Sequence, residues 1–165
     1  MPDLPAQTAD AHRQFSVQCF NQAWDYIEMS ERTAEENETM LLLAHASLWH
    51  WTQRDDCKPV HQSIGYWQLS RVHALVPGLA DLACHYARKC INFSETEGLA
   101  PFYLGYGYEA LARAEQLVGN PSTAQSAEQH ARDLLNRIED REAREILERD
   151  LNQLKPHPAY GDGAE

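Results

Sequence analysis

Apolar side chains recur every three or four residues along most of the chain, which is the period of amphipathic helices. The pattern predicts seven helices, over about residues 8–30, 34–53, 60–76, 79–93, 101–118, 121–138 and 140–154. No stretch alternates with the period of two that is typical of a strand. The expected fold class is therefore all-α.

Short breaks that contain Gly, Pro or Asp separate the predicted helices, most clearly at 77–78 and 119–121. Helices joined by such short links pack as antiparallel neighbours. The length of 165 residues suits one domain. We therefore predict a single helical domain over residues 8–154, a flexible N-terminus over 1–7 and a disordered tail over 155–165.

An internal repeat appears when the third and fourth helices are laid over the fifth and sixth with an offset of 41 residues. The shift aligns an aromatic residue, a turn glycine and two small residues, in the pairs Trp67/Tyr108, Gly78/Gly119, Ala83/Ala124 and Cys90/Ala131. Small residues at such positions allow two antiparallel helices to approach closely. The repeat predicts helix pairs that stack on one another.

The second copy reads Tyr108-x-x-Leu111-Ala112-x-x-Glu115 and then Gly119-Asn120, an order that resembles the tetratricopeptide repeat. The resemblance covers about residues 17–138 and implies three helix pairs, with the seventh helix as a cap. The middle copy departs from the family, because Ser70-Arg71 stands where Leu-Gly is expected. The period of 41 exceeds the family's 34 by about two helical turns, which keeps a lengthened helix in phase. The alternative is an irregular helical bundle.

The resemblance also implies a function, namely a protein-interaction scaffold that binds a peptide or a partner helix in a concave groove. The first helix of each pair would line this groove. The matching positions are mostly polar and carry mixed charge: Gln18, Asn21, Gln22, Asp25 and Glu28, then Gln68, Arg71, Val72 and Leu75, then Tyr106, Glu109, Arg113 and Gln116. Amides suit a peptide backbone because they both donate and accept hydrogen bonds. The alternative is that these side chains form solvated helix faces, and that Arg71 forms a buried ion pair.

The aromatic residues are unevenly distributed. All four Trp residues lie within the first 67 positions, and residues 102–108 are rich in Tyr. Exposed aromatic residues are typical of interfaces, so residues 102–108 are a candidate surface for a structural homodimer. Trp24 and Trp67 are instead expected to pack between helices.

Charge and composition narrow the classes of partner. The formal net charge is −11, and the basic residues form no run longer than two, which argues against nucleic acid and anionic membranes and favours neutral or cationic partners. The longest aliphatic run is far shorter than a membrane span, and no signal peptide is apparent at the N-terminus. The four cysteines form no Cys-x-x-Cys pair. We expect reduced thiols and a cytoplasmic protein.

Candidate catalytic and metal-binding residues are few. His45, His61, His73 and His85 lie near cysteines and acids, but the chain has neither a His-Glu-x-x-His motif nor paired Glu-x-x-His motifs. It also has no Gly-x-Ser-x-Gly motif. We predict no enzymatic activity, no metal and no cofactor. The alternative is a metal-dependent helical enzyme that uses these scattered histidines.

Overall fold

The computed structural model describes residues 6–154. Seven α-helices make up this part of the chain: α1 (Ala6–Ile27), α2 (Ala34–Thr52), α3 (Pro59–Leu75), α4 (Ala80–Thr96), α5 (Pro101–Val118), α6 (Pro121–Leu135) and α7 (Arg141–Asn152). No strand occurs between residues 6 and 154, so the predicted all-α fold is confirmed. Ala6 and Gln7 open α1. The rest of the predicted flexible start and the whole predicted tail lie outside the described residues.

The helices stack in chain order. Each helix packs on the next, and α3 also packs on α5, as α5 does on α7. Neighbouring helices joined by short links run antiparallel. The result is three helix pairs followed by α7, which covers the end of the stack by packing on both α5 and α6.

The residues that the internal repeat aligns lie in similar structural environments. Gly78 and Gly119 both have left-handed backbone, with φ of 84° and 81°. Gly119 is the C-cap of α5, whereas Gly78 lies in the link after α3, two residues beyond its C-cap Val76. The small residues aligned by the offset are all completely buried, namely Ala83, Cys90, Ala124 and Ala131. A side chain of this size lets the second helix of each pair lie close to the first.

Two helix ends differ from the prediction. α4 continues to Thr96, beyond the predicted end at residue 93, and in this added turn the buried hydroxyl of Ser94 forms a 2.8 Å hydrogen bond with that of Ser63 in α3. α1 ends at Ile27, before the predicted end at residue 30. The guanidinium of Arg32 donates to the carbonyl oxygens of Tyr26 and Met29, which replaces the missing helical donors.

Two of the four cysteines, Cys84 and Cys90, are buried, and Cys19 and Cys57 are half-buried. All four are free thiols. None of the described helices combines the length and the apolar character needed to cross a membrane.

Candidate functional site

A cavity of about 330 Å³ opens on the side that α1, α3, α5 and α7 share. Its walls are almost entirely apolar, and we refer to it as the aromatic cavity. It is lined by Trp24, Ser63, Ile64, Trp67, Cys90, Phe102, Tyr103, Tyr106, Ile146, Arg149 and Asp150. A cavity of about 150 Å³ can already hold benzene. The aromatic cavity therefore has room for an indole ring or a large aliphatic side chain.

A continuous row of rings forms the floor of the aromatic cavity. Trp24 of α1 packs against Trp67 of α3 with ring centroids 5.7 Å apart, and Trp67 meets Tyr106 of α5 edge to face at 5.3 Å. Phe102 continues the row, at 5.0 Å from Tyr106. Tilted and edge-to-face contacts of this kind favour a fixed ring geometry. Trp24 and Trp67 thus pack between helices as predicted, and they also line the cavity.

Helical spacing explains why these side chains meet. Ile64, Trp67 and Arg71 recur at intervals of three and four residues, which places them on one face of α3. Gly105 allows α7 to form one side of the cavity, because a Cβ at this position would lie 2.6 Å from Cδ2 of Leu147. The missing side chain lets α7 approach α5 closely enough to add Ile146 and Asp150 to the cavity.

Two carboxylates near the ring row have partners within the chain. The hydroxyl of Tyr106 donates a 2.7 Å hydrogen bond to Asp150, and burial together with this bond raises the pKa of Tyr106. Glu109 is completely buried and forms an ion pair with Arg113, and Nε1 of Trp67 lies 3.5 Å from its other oxygen. The polar groups beside the aromatic cavity are therefore held in position by the rings that form it.

Arg71 differs from its charged neighbours because it has no hydrogen bond or ion pair with any residue between 6 and 154. Its side chain is half-buried. Burial lowers the pKa of Arg71, an effect that the nearby carboxylate of Asp150 opposes and the charge of Arg32 reinforces. A guanidinium nevertheless stays protonated in proteins. The alternative expectation of a buried ion pair at Arg71 is thus wrong for the described part of the chain.

Two further polar atoms are buried without a hydrogen-bond partner in residues 6–154, namely Oε1 of Gln68 and Nε of Arg113. The amide of Gln68 is anchored by its other end, since Nε2 donates to the carbonyl oxygen of Phe20 at 3.1 Å. This bond joins α3 to α1. Gln68, predicted as a groove residue, is therefore a completely buried link between helices and lines neither cavity.

The predicted groove residues separate into two groups. In the first group only Tyr106 lines the aromatic cavity. Glu109 and Arg113 adjoin it through the contact of Glu109 with Trp67, and Arg71 follows Trp67 by one turn of α3. Gln116 lies further along α5, half-buried. The second group is exposed and lines neither the aromatic cavity nor the smaller cavity next to it: Gln18, Asn21, Gln22, Asp25 and Glu28. Helix α1 instead contributes Trp24 to the aromatic cavity, and Val17 and Phe20 to a neighbouring cavity of about 170 Å³.

The remaining two groove positions of α3 face the core rather than the cavity. Val72 is completely buried, and Leu75 packs on the same core cluster. The sequence interpretation missed the cavity residues of α7, because it treated that helix only as a cap. It also missed Ile64, and it assigned Phe102 and Tyr103 to a candidate surface for self-association rather than to a cavity. The available signal was the helical spacing of large apolar residues on the first helix of each pair.

The rings of residues 102–108 contact the chain itself. Tyr106 bonds to Asp150, and the ring of Tyr108 stacks on that of His130 at 5.0 Å. Gly107 faces Ile91 of α4. The aromatic side chains of this segment thus have packing partners within one copy of the chain. Self-association through the segment stays a prediction.

The candidate histidines pack against other rings. His45 and His73 meet edge to face at 5.5 Å, and both contact Tyr86; burial lowers the pKa of each imidazole. His61 stacks on Trp51 at 4.0 Å, and His85 lies against Tyr86. In the described part of the chain, no group of three His, Cys, Asp or Glu side chains is arranged to hold a metal ion.

The fold and the cavity define the class of this protein: a stack of antiparallel helix pairs with an aromatic cavity on its odd-numbered helices. Comparison with protein-family models, with curated proteins and with solved structures finds no match for the chain. The resemblance to tetratricopeptide repeats therefore stays a prediction that rests on the sequence pattern.

Proposed function

We propose that this protein is a tetratricopeptide-like interaction module or adaptor that binds a peptide or a partner helix in the groove along α1, α3, α5 and α7. The observation that carries the proposal is the aromatic cavity, which the side chains of residues 6–154 leave unfilled. A large apolar side chain of the partner would fill it. Burying a side chain of this kind contributes about 1.5–3 kcal/mol, so one anchor supplies a substantial part of a specific affinity.

The position of the cavity supports binding rather than catalysis. It lies on the face where the first helices of the pairs meet, and its floor consists of rings that already hold one another in place. Such a preformed surface loses little conformational freedom on binding. The polar groups at the rings are carboxylates and guanidiniums that pair with partners in the chain, together with the hydroxyl of Ser63 and the thiol of Cys90, which contact each other. Among these described groups there is no nucleophile–base pair. The proposal is accordingly a non-enzymatic protein without a cofactor.

A cytoplasmic location and the absence of nucleic-acid or membrane partners belong to the same proposal. They rest on the net charge of −11 and on the four free cysteines.

The proposal is tested by a substitution that fills the aromatic cavity with a side chain of the protein itself. In Ile146→Trp, a lining residue of α7 is replaced by a side chain large enough to occupy the space. Glu148→Trp is the matched control, because it adds the same side chain at an exposed position of α7 outside the cavity. Random twelve-residue peptides displayed on phage are selected on the wild type, and the enriched peptides are titrated against all three proteins by Trp fluorescence.

We expect the enriched peptides to carry a large apolar residue and to bind the wild type and Glu148→Trp equally. Ile146→Trp should bind them at least tenfold more weakly, a change of about 1.4 kcal/mol. Circular dichroism establishes that both variants keep their helices. The proposal fails if no peptide is enriched, or if Ile146→Trp binds as tightly as the control.

A further inference from the structure

Arg71 occupies a specific place relative to the aromatic cavity. It follows Trp67 by one helical turn on the same face of α3, and Trp67 is part of the cavity floor. On the facing side lies Asp150 of α7, which lines the cavity and is near enough to influence Arg71 electrostatically. Arg71 does not itself line the cavity, but it lies one helical turn beyond a residue that does, within reach of the charge of Asp150 on the facing helix.

Within residues 6–154, the charges around Arg71 do not neutralise it. Asp150 already accepts the hydrogen bond from Tyr106, and Arg149 lies 3.6 Å from its other oxygen. Arg32, the other charge that acts on Arg71, is itself a cation. A half-buried guanidinium has lost part of its hydration, so an anion that reaches it gains more than it would at a fully exposed site.

Resting on the proposed function, we propose that Arg71 determines which peptides bind: it pairs with an acidic side chain of the partner that lies next to the apolar residue in the aromatic cavity. The ligand is thus a peptide that combines a large apolar residue with a neighbouring Asp or Glu. The cavity supplies affinity, and Arg71 supplies specificity.

Charge complementarity favours a carboxylate over a doubly charged anion. The chain carries a net charge of −11, which repels phosphorylated peptides and anionic lipid surfaces at longer range. One guanidinium beside one carboxylate, that of Asp150, matches a single negative charge better than a phosphate. A fork of N–H donors on Arg71 also fits the two oxygens of a carboxylate.

The test uses two probes of nearly equal shape, 3-phenylpropionate and 3-phenylpropanamide, which differ by one negative charge. Each is titrated into the ¹⁵N-labelled full chain at low salt, and the indole N–H signals of Trp24 and Trp67 report binding in the aromatic cavity. The variant is Arg71→Met, which keeps an unbranched apolar stem and removes the guanidinium with its charge. Arg71→Lys restores the charge.

Arg137→Met is the matched control, because Arg137 is exposed in the link between α6 and α7 and lies outside the cavity. The control variant lowers the net charge of the molecule by the same amount, but at a position outside the aromatic cavity. Peptides from the phage selection are then compared with versions in which each Glu is replaced by Gln and each Asp by Asn.

We expect the wild type, Arg71→Lys and Arg137→Met to bind the carboxylate probe about fivefold more tightly than the amide. In Arg71→Met the preference should disappear while amide binding persists, and the acidic peptides should lose the same factor. The inference is overturned if both probes bind the wild type equally, or if the preference survives in Arg71→Met. The proposed function would still stand in either case.

Two other results identify a failure of the proposed function itself. If neither probe shifts the indole signals, the cavity is not a binding site and both statements fail. If sedimentation shows a dimer that Ile146→Trp dissociates, the occupant of the cavity is a second copy of the chain, and the assignment of Arg71 to an acidic peptide fails with it.

Discussion

Two glycines of α5 show at the scale of single residues how the helices reach their spacing. A Cβ at Gly107 would lie 2.8 Å from Cγ1 of Ile91 and 3.2 Å from the backbone nitrogen of the same residue. At Gly105 the obstacle is Cδ2 of Leu147, at 2.6 Å. The first contact involves backbone and a β-branched side chain, whereas the second involves the end of a flexible one.

We therefore predict that Gly107→Ala destabilises the protein by about 1–2 kcal/mol. Overpacking of this kind costs about 1–3 kcal/mol, and the better helix propensity of Ala recovers up to about 1 kcal/mol. Gly105→Ala should cost less than half as much, because the end of Leu147 can turn aside. Urea unfolding followed by far-ultraviolet circular dichroism measures both. A larger loss for Gly105→Ala would contradict this explanation.

At the scale of elements, the start of α2 illustrates how side chains define a helix end. Thr33 accepts a 3.2 Å hydrogen bond from the backbone N–H of Glu36, and the carboxylate of Glu36 accepts one of 2.7 Å from the backbone N–H of Thr33. This reciprocal pair satisfies two otherwise unpaired donors. The acidic residues after position 33 indicated a helix start in the sequence, and the structure adds the capping threonine.

We predict that Thr33→Ala lowers the free energy of unfolding by about 1 kcal/mol, the usual cost of losing an N-cap side chain. Thr39→Ala is the matched control, since Thr39 is exposed inside α2 and its hydroxyl bonds only to the carbonyl of Glu35. That change should be neutral or stabilising by about 0.5 kcal/mol. Thermal unfolding of both variants provides the comparison, and equal effects would rule out the capping role.

At the scale of the whole molecule, the chain is a linear stack in which the main contacts join helices one or two places apart. Its core is correspondingly divided. Leu69 belongs to a cluster built around α1, α2 and α3, whereas Leu147 belongs to one at the α7 end. In such an architecture, the free energy of unfolding is close to a sum of the stabilities of the single units and of the interfaces between neighbouring units.

We predict that Leu147→Ala and Leu69→Ala each cost about 2–5 kcal/mol, the range for such buried truncations, but at opposite ends of the stack. Leu147→Ala should reduce hydrogen-exchange protection mainly in α6 and α7, and Leu69→Ala mainly in α1 to α3. Exchange followed by mass spectrometry resolves the helices. If either variant loses protection evenly across all seven helices, the stack unfolds as one unit instead.

The distribution of charge also belongs to this scale. The net charge of −11 led to the expectation of neutral or cationic partners. Arg71, half-buried one helical turn from a residue of the aromatic cavity, is the basis of the proposed opposite preference at the proposed binding surface. The two statements differ because net charge acts over long distances, whereas selectivity within a groove depends on the groups within a few ångströms.

The sequence by itself determined the fold class, the seven helices and the equivalence of the two clearest repeat copies. These features depend on local periodicity, on turn glycines such as Gly78 and Gly119, and on small residues such as Ala83 and Ala124. Each of these signals can be read from a short segment of the sequence, a few helical turns long. Trp24 and Trp67 could likewise be assigned to helix packing, since a large aromatic residue on an apolar face is usually buried.

Only the tertiary structure decided which residues form the aromatic cavity. The polar residues of α1 were chosen by matching positions, yet Asn21 and Asp25 face solvent and Trp24 faces the cavity. The orientation of a helix about its own axis depends on what packs against it, here α2 and the rings of α3. The contribution of α7 depends in the same way on contact across Gly105. Such contacts join residues that are far apart in sequence. A local pattern of apolar and polar residues therefore cannot predict how closely two such helices approach.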